Sequence, residues 1–196
     1  MWSKGLRRGA GIEGAGRGPL AGPVAAAAVL LPEGYRLAGL DDSKKLTAAR
    51  REKVFEALLE DERVEWGLAY AEVEEIEEVN ILRATHAAMA RAAGALRVAV
   101  DFCLIDGLKV PGFPLPSRGV VKGDGISLSI AAASVIAKVS RDRRMLGYAE
   151  EFPEYGFERH KGYGTKVHLE ALRRHGPCAI HRRTFQPVAE LLGCGS

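Results

Sequence analysis

The sequence predicts an α/β fold in which helices flank a mixed sheet and the C-terminal part is helical. Three observations lead to this prediction: strand-like apolar runs come early in the chain, helical patterns fill its middle, and acidic residues fall where strands end. With 196 residues, 47% of them hydrophobic and 27% charged, the chain is long enough for one core of good size. This order of elements favours an α/β fold over a helical bundle.

The first part of the chain changes from strand patterns to a helical pattern. Residues 24–31 are an apolar run, which we expect to be the first of two strands joined by a glycine-containing turn within residues 33–46. From Leu46 to Glu60 the apolar residues follow the spacing of an amphipathic helix, and Thr47 is placed to cap it.

The middle of the chain contains a strand, a helical region and a second apolar strand. Residues 63–73 alternate as an edge strand or a half-buried strand does, and residues 74–96 indicate a long alanine-rich helix or a pair of helices. Residues 97–108 form an apolar strand that delivers Asp106 near its carboxyl end, where open α/β sheets usually build their sites.

The remaining elements carry a second acid and a long basic helix. Residues 109–119 are rich in proline and predict a loop, whereas residues 120–125 predict a short strand that ends on Asp124. A helix of small residues, basic in its second half, is expected from Ile126 onward.

The end of the chain is predicted to be helical, with a glycine-rich hinge in the segment HKGYGT. We expect residues 1–155 to form a core and residues 156–196 a helical extension packed on it, the two making a single compact unit.

Charge and cysteine content argue against several classes of protein. A formal net charge of +3 permits a polyanionic partner without requiring one. The three cysteines are far apart in sequence, which argues against a disulfide framework or a zinc site and suits a reducing compartment. No secretory signal pattern is present, and no apolar run approaches the roughly 18 residues of a membrane span. We therefore expect a cytoplasmic protein without a membrane segment.

The common sequence motifs of several enzyme classes are missing. There is no GxSxG elbow, no Walker GxxxxGK[ST] segment and no dinucleotide-binding fingerprint after a strand. Acyl transfer, nucleotide hydrolysis and dinucleotide redox chemistry therefore lack support.

Three acidic residues adjoin a glycine at a strand end: Glu13, Asp106 and Asp124. Such residues can converge in space, and oxygen ligands without a histidine or cysteine cluster suit Mg²⁺ or Mn²⁺. Two such ions can activate a water and stabilise the leaving oxygen in phosphodiester hydrolysis. Each acid alone could instead cap the backbone N–H groups of its turn, but the three together favour a metal site.

A glycine-rich segment, GIEGAGRGPLAGPV at residues 11–24, surrounds the first of these acids. Glycine lets another molecule approach the main chain, so the segment predicts a place where N–H groups meet a phosphate or a hydroxyl. The alternative interpretation is a tight turn and nothing more.

Polar and basic residues form a candidate phosphate-binding face. Ser134, Lys138 and Asp142 follow one another at helical spacing, so hydroxyl and ammonium share a face; a plain Lys138–Asp142 surface pair is the alternative. Tyr163, between two glycines, could stack on a base or sugar or pack within its loop. Further positive charge is expected around the same cleft from Arg17, Lys44, Lys45, Lys161, Arg182 and Arg183.

Eight segments, spread in order over essentially the whole chain, carry a family resemblance: GAGRGPLAGPV, DDSKKL, NILRATHAAM, LIDG, VKGD, SIAAASVIAKVSRDRRM, HKGYGT and HRRTFQPV. Together they resemble bacterial ribonuclease HII. The resemblance implies a ribonuclease H-like fold and an endonuclease that cuts the RNA strand of RNA–DNA hybrids. It further implies incision on the 5′ side of a single ribonucleotide in duplex DNA, by metal-dependent hydrolysis that leaves a 3′-hydroxyl and a 5′-phosphate, as ribonucleotide excision repair requires.

The resemblance also implies roles for individual residues. Gly16, Arg17 and Gly18 would place backbone groups against the ribose 2′-hydroxyl, the feature that distinguishes RNA from DNA. The remaining substrate-binding residues would be Lys44, Ser134, Lys138 and Tyr163, with Ser134 and Lys138 on phosphates and Tyr163 stacked on the sugar at the RNA–DNA junction. Asp106 and Asp124 match two of the four catalytic acids of the family.

The chain departs from the family pattern at the other two acids. The family motif reads Asp-Glu-Ala-Gly-Arg-Gly, whereas this chain has Glu13 and Gly14 in the first two places. Position 13 keeps a carboxylate, which reaches about one methylene further than that of aspartate. Position 14 has no side chain. A catalytic group displaced by about 1 Å can lower the rate on the order of a hundredfold. We therefore predict catalysis by Glu13, Asp106 and Asp124 with impaired or absent activity.

Two other functions are compatible with the sequence. One is a catalytically inactive protein that binds RNA–DNA junctions, and the other is a metal-dependent nuclease with a different substrate preference. In each case we expect a monomer, since a nuclease of this kind must wrap one duplex.

Overall fold

A mixed sheet of five strands forms the centre of the computed structural model, which describes residues 8–40 and 46–193. The strands are β1 (Gly9–Ala15), β2 (Val24–Leu30), β3 (Glu65–Ala71), β4 (Phe102–Asp106) and β5 (Ser117–Val120). Their order across the sheet is β3-β2-β1-β4-β5. The pairs β1–β2 and β2–β3 are antiparallel, and β1–β4 and β4–β5 are parallel. The predicted α/β fold with a mixed sheet is confirmed.

Seven helices accompany the sheet in the described part of the chain: α1 (Ala48–Glu60), α2 (Val73–Val79), α3 (Ile81–Gly94), α4 (Leu128–Glu151), α5 (Phe157–His160), α6 (Lys166–His175) and α7 (Val188–Leu191). Thr47 caps α1 by accepting a hydrogen bond from the Arg50 N–H, as predicted. The helical region of residues 74–96 is a pair, because Asn80 takes a positive φ of 72° after α2 and caps α3 with its side chain. No helix among the described residues is long and apolar enough to cross a membrane.

The two faces of the sheet carry separate hydrophobic cores. Along β2, Ala26 and Ala28 pack with α2 and α3, whereas Ala27 and Val29 pack with α1 and α4. The same alternation along β1 directs position 14 to the α3 side and position 11 to the α4 side.

Helix α4 lies directly against β1, and a glycine makes this possible. A Cβ atom at Gly11 would lie 2.2 Å from the Ile130 backbone nitrogen. Only a residue without a side chain fits there, so the backbones of α4 and β1 are in direct contact. The half-exposed face of α4 therefore lies near the end of β1.

A third apolar cluster ties the C-terminal helices to the segment that follows β1. Leu20 and Ala21 pack with Met145 of α4, Phe157 of α5 and Leu172 of α6. Backbone hydrogen bonds reinforce the contact, since the Leu20 N–H donates to the Gly162 carbonyl. The division at residues 155 and 156 remains a prediction, but the apolar residues of the extension are packed on the core side.

Residues 33–40 are not a strand, contrary to our prediction, and residues 41–45 of the same segment lie outside the described residues. The segment forms turns instead, with the Tyr35 N–H donating to the Pro32 carbonyl and positive φ angles at Gly34 and Gly39. Strand β2 pairs with β1 along one edge and with β3 along the other, so no free edge remains beside it for another strand.

The predicted strand at residues 120–125 is also wrong. Strand β5 spans Ser117–Val120, within and just after the predicted loop, and Asp124 lies in a short 3-10 turn, Gly123–Gly125. A left-handed Lys122 (φ 56°) separates the strand from this turn. Helix α4 accordingly begins at Leu128, two residues after the predicted start.

Candidate active site

Glu13 and Asp106 meet because β1 and β4 are parallel neighbours. The register pairs Ile12 with Ile105, so the next residue of each strand is an acid at the same edge of the sheet. Both side chains are partly buried. This juxtaposition was expected from the sequence.

Glu13 carries the strongest electrostatic perturbation of the site. Burial raises the pKa of its carboxyl group to about 9, and the charge of Asp106, a hydrogen bond between the two carboxyl groups and the charge of Asp124 act in the same direction. The Gly14 N–H opposes the shift by donating to the carboxylate. Within the described residues, the buried Oε2 of Glu13 has no hydrogen-bond partner. Without a cation nearby, Glu13 is therefore protonated at neutral pH.

Asp124 reaches the same region through its turn. Asp106 Oδ1 accepts a 2.6 Å hydrogen bond from the Gly123 N–H, which anchors the turn to the end of β4. Asp124 itself is 7% exposed, and its Oδ1 accepts from the Gly125 N–H at 3.1 Å. Both aspartates thus cap backbone N–H groups, and they also lie close enough to Glu13 to raise its pKa.

The acidic residues at this edge of the sheet are suited to binding a divalent cation: two carboxylates form a pair, and a third acid lies nearby. Oxygen donors suit hard cations, and the unpartnered Glu13 Oε2 among like charges is the kind of atom that a cation would satisfy. Over residues 8–40 and 46–193, no group of three or more His, Cys, Asp or Glu side chains is close enough to hold an ion. The three acids are therefore not a closed cage.

Gly14 marks the place of the missing acid, on the other face of the sheet from Glu13. A Cβ atom there would lie 3.2 Å from Met89 Cε and 3.3 Å from Thr85 Cγ2, both on α3. These contacts are tight by a few tenths of an ångström and involve side-chain ends, so an added Cβ atom can be accommodated by a small shift of Met89 and Thr85.

The glycine-rich segment is shaped by two buried arginines. Arg141 of α4 donates to the carbonyls of Ala21, Pro23 and Lys161, at 2.9–3.1 Å. Arg182 donates to the carbonyls of Gly16, Arg17, Pro19 and Gly22, at 2.6–3.0 Å. The exposed fractions of the two arginines are 1% and 0%. We expected Arg182 to be part of the surface charge, and this is wrong: its guanidinium is inside, whereas its neighbour Arg183 is exposed.

Arg182 binds two carbonyls of the turn, whereas two N–H groups of the turn have no acceptor in the described structure. With the Gly16 and Arg17 carbonyls bound to Arg182, the N–H groups of Arg17 and Gly18 donate no hydrogen bond in the described structure. Gly16 is buried, and Arg17 and Gly18 are exposed. The buried positive charge behind them lacks a carboxylate partner among the described residues, since each guanidinium contact is to a carbonyl. The exposed turn is therefore polarised toward an anionic or hydroxyl ligand.

Tyr163 and Lys138 border this turn. Tyr163 is 44% exposed, its Cε1 would lie 3.8 Å from a Cβ atom at Gly18, and the Lys138 ammonium lies 6.0 Å from its ring centroid. Lys138 Nζ also donates a 2.8 Å hydrogen bond to Asp142, the surface pair that the sequence allowed as an alternative. Ser134 and Lys138 are both half-buried on the same stretch of α4. Lys44 and Lys45 lie outside the described residues.

This site is an open edge of the sheet and not an enclosed pocket. A cavity of about 250 Å³, lined by Gly9, Tyr35, Leu104 and Ser129 among others, lies toward the opposite end of β1 and contains none of the site residues. An open edge suits a polymeric substrate better than a small molecule.

Sequence reasoning missed the buried arginines and three buried histidines, His160, His168 and His181. The arginines are visible within motif-like segments, but all of their carbonyl partners except Lys161 lie 118 to 166 positions away in sequence. No local pattern reports such a contact.

A ribonuclease H-like mixed sheet with acidic residues at the ends of two parallel central strands defines the class of this protein. Comparison of the sequence with known protein families defines this class more closely, because the family profile described as Ribonuclease HII matches residues 10–188. The chain belongs to the ribonuclease HII family, the type 2 ribonucleases H.

Individual relatives agree with this assignment. A ribonuclease HII of Chlamydia trachomatis is 54% identical over 181 residues, 92% of this chain and 83% of that protein. One from Desulfitobacterium hafniense is 51% identical over 192 residues, 98% of this chain and 74% of the relative. The crystal structure of ribonuclease H2 from Pyrococcus horikoshii superposes with a TM-score of 0.77 at 26% identity and covers 94% of this chain and 96% of its own. The fold and the family predicted from the sequence are thus confirmed.

Proposed function

We propose that this chain is an endoribonuclease that cleaves RNA in RNA–DNA hybrids and incises 5′ to single ribonucleotides in duplex DNA. The cleavage is a metal-dependent phosphodiester hydrolysis with Mg²⁺ or Mn²⁺. The observation that carries the proposal is the buried, unpartnered Glu13 Oε2 beside Asp106, directly before the exposed Arg17–Gly18 turn. The acid that would bind the cation and the backbone that would contact the ribose therefore lie within a few residues of each other.

Recognition of the ribonucleotide is assigned to the turn that the buried arginines shape. The N–H groups of Arg17 and Gly18 can donate to a 2′-hydroxyl oxygen, which DNA lacks. The exposed Tyr163 ring, adjoining Gly18, supplies a surface for stacking on the sugar. Ser134 and Lys138 would hold phosphates, with Lys138 shared between a phosphate and Asp142.

Cleavage is assigned to the carboxylate edge. Glu13, Asp106 and Asp124 would hold the cation, which supplies a nucleophilic water and stabilises charge on the leaving oxygen. Glu13 must release its proton to serve as a ligand, because its carboxyl group is protonated at neutral pH in the metal-free protein. The Gly14 N–H favours the ionised form of Glu13, and Asp106 is already oriented by the Gly123 N–H.

We further propose that activity is impaired in this form of the protein. Position 14 contributes no carboxylate, and position 13 has a longer side chain than the family motif. Fewer and displaced oxygen ligands weaken metal binding and the alignment of the attacking water. One observation favours the second candidate function, a binding protein without catalysis: the described residues hold no group of three acids close enough for an ion.

A duplex DNA containing one ribonucleotide tests both functions. The protein is incubated with labelled duplex in Mg²⁺ and separately in Mn²⁺, with an all-DNA duplex as control, and both cleavage and gel-shift binding are scored. We expect ribonucleotide-dependent binding and slow incision on the 5′ side of the ribonucleotide.

Each outcome separates the candidates. Incision means that the three acids suffice for a working site. Binding that depends on the ribonucleotide, without incision in either metal, establishes the junction-binding protein. Neither binding nor incision contradicts both.

A further inference from the structure

Three buried histidines lie directly beneath the Tyr163 loop, residues 161–164. The exposed fractions of His160, His168 and His181 are 8%, 0% and 1%. The His160 and His168 rings are stacked with centroids 4.5 Å apart, and the His168 and His181 centroids are 5.2 Å apart. None of the three is used by the proposed cleavage reaction.

The hydrogen-bond partners assign one tautomer to His160. The Gly162 N–H can only donate, so His160 Nδ1, 3.2 Å away, is the unprotonated nitrogen. The proton is then on Nε2, which donates to the Tyr155 carbonyl at 2.9 Å.

The same logic passes through His181 to His168. The Cys178 N–H donates to His181 Nδ1 at 3.0 Å, which places the His181 proton on Nε2. That proton is donated to His168 Nε2, 3.0 Å away, so the His168 proton is on Nδ1 and is donated to the Tyr163 carbonyl at 2.9 Å. The relay of three histidines is therefore neutral and holds one arrangement of protons.

Neither a metal nor an additional proton fits this arrangement. Every ring nitrogen has a hydrogen-bond partner, so no lone pair is available to a shared ion. A proton added at His168 Nε2 would face the His181 N–H, and one added at His160 or His181 would face a backbone N–H. Burial lowers the pKa of His168 and of His181 to about 4 each, and the neighbouring histidine rings contribute to both shifts.

Two members of the relay end on the backbone of the Tyr163 loop. His168 holds the Tyr163 carbonyl, and His160 accepts from the Gly162 N–H. Gly162 is packed so closely on the segment after β1 that an added Cβ would lie 2.5 Å from the Ala21 carbonyl oxygen. His181 is joined to Ala21 by an antiparallel backbone bridge. The relay thus fixes the loop relative to the glycine-rich segment.

We propose that His160, His168 and His181 are positioning residues that hold Tyr163 beside Gly18 through this one arrangement of protons. Protonation of His168 or His181 breaks a hydrogen bond of the relay and releases the loop, so ribonucleotide-dependent binding falls as the pH decreases. The part of this inference that concerns nucleic acid rests on the proposed function, but the proton arrangement and its link to the loop do not.

Other titratable or charged groups lie around the three histidines but do not take part in the hydrogen bonds of the relay. They are Tyr155 and Glu154 of the turn before α5, Cys178, His175 of α6, and Arg141 and Glu151 of α4. In the described structure none of the carboxylates is hydrogen-bonded to a ring nitrogen of the relay. A carboxylate would stabilise the protonated ring, so its absence from these contacts keeps the relay neutral.

Nitrogen-15 NMR of the histidine rings tests the proton arrangement directly. At pH 7.5 we expect the Nδ1–H tautomer for His168 and the Nε2–H tautomer for His160 and His181. On acidification, the Gly162 and Tyr163 amide signals should shift together with the His168 ring. A different tautomer for any of the three, or loop signals that ignore the ring titration, would overturn the proposal.

Two variants of His168 test the effect of the relay on nucleic-acid binding. His168→Asn keeps an N–H near the Nδ1 position but cannot be protonated, so we expect binding within about threefold of the original at pH 7.5 and a flatter pH profile. Because the pKa of His168 and of His181 is about 4, the unchanged protein should keep most of its binding at pH 5 and lose it about threefold between pH 5 and pH 4. His168→Ala should bind weakly at pH 7.5 and at pH 4, and a folded fraction measured by circular dichroism accompanies each variant.

The exposed His175 supplies the matched control, since His175→Asn should retain the full pH dependence. An equal pH profile for His168→Asn and the unchanged protein would contradict the relay. If the unchanged protein shows no ribonucleotide-dependent binding at pH 7.5, the proposed function fails, and the NMR readout of the loop alone decides on the relay.

Discussion

A Cβ atom added at Gly16 would lie 2.0 Å from Nε of Arg141, so the backbone of the glycine-rich segment is packed directly on a buried guanidinium. Gly16 also has a φ of 94°, which disfavours any other residue. The glycine therefore serves an internal approach by the protein's own arginine, and only Arg17 and Gly18 of this turn face outward.

This contact separates two glycines that look equivalent in sequence. Gly16→Ala should lower the melting temperature and abolish ribonucleotide-dependent binding, because Arg141 must move. Gly18→Ala should leave the melting temperature unchanged and weaken binding about tenfold, since its Cβ would meet only Tyr163, at 3.8 Å, and would occupy the substrate side. Thermal denaturation and gel shift check both. Equal loss of stability in the two variants would contradict the assignment.

Arg182 is expected to stabilise the whole segment from residue 16 to residue 22. Arg182→Gln leaves several buried carbonyls without donors, which we expect to cost about 3–5 kcal/mol. For a chain of this length, that corresponds to a decrease in melting temperature of about 10 °C. Arg183→Gln is the matched control, because Arg183 is exposed and contacts Glu77 through its backbone N–H. A similar melting temperature for both variants would show that the buried guanidinium is dispensable.

Restoring the acidic pair should restore cleavage. Glu13→Asp with Gly14→Glu should raise the incision rate on the order of a hundredfold, since both ligand length and ligand number are corrected. For the Cβ atom added at position 14, Met89 and Thr85 need to shift by only a few tenths of an ångström. Gly14→Gln, which has the same size without the charge, is the control. No gain over the control would mean that position 14 is not a ligand position in this chain.

The raised pKa of Glu13 predicts an unusual dependence of folding stability on pH. The pKa of about 9 in the folded protein is above the ordinary value of 4.5, so the folded state retains a proton that the unfolded state has lost. The contribution of Glu13 to stability is therefore complete below about pH 4.5 and is lost as the pH rises toward 9. Melting temperatures of the metal-free protein between pH 6 and pH 9 should fall, and Glu13→Gln should flatten this slope.

Divalent cations should reverse the trend at high pH. Mg²⁺ or Mn²⁺ binds the ionised carboxylate, so we expect a larger increase in melting temperature at pH 8.5 than at pH 6. The exposed Glu33→Gln provides the control and should respond as the unchanged protein does. A metal response that persists in Glu13→Gln would place the cation elsewhere.

Asp142 should limit phosphate binding by Lys138. Asp142→Asn releases the ammonium from its 2.8 Å ion pair, so affinity for the duplex should rise about twofold to fivefold. Lys138→Ala should weaken binding and reduce the slope of log affinity against log salt by about 1. Anisotropy titrations at several salt concentrations measure both. Identical salt slopes for Lys138→Ala and the unchanged protein would exclude a phosphate contact.

Local signals in the sequence predicted the elements that depend on local physics. The Thr47 cap and α1, the apolar strand β2 and the delivery of Asp106 by β4 follow from periodicity and strand-end rules. The segment at 33–40 was mispredicted because β2 already has two partners, which is a property of the assembled sheet.

The parts of the site that could not be predicted depend on contacts between distant segments. Arg182 and the histidine relay acquire their roles only when the C-terminal helices pack on the residues after β1. In sequence, Arg182 resembles any basic residue next to another, and the histidines lack a ligand-like spacing. Their burial, and the partner that each one finds, come from the tertiary arrangement alone.

The packing of residues 160–182 on residues 16–22 has a consequence during synthesis. Strands β1 to β5 are complete once the ribosome has passed residue 120, but the carbonyls of the glycine-rich segment receive their Arg182 hydrogen bonds only after residue 182 has left the exit tunnel. We therefore expect nascent chains halted near residue 155 to have a formed sheet with an unordered Arg17–Gly18 turn. During synthesis, the turn to which we assign ribonucleotide binding would become ordered only after residue 182 has left the exit tunnel.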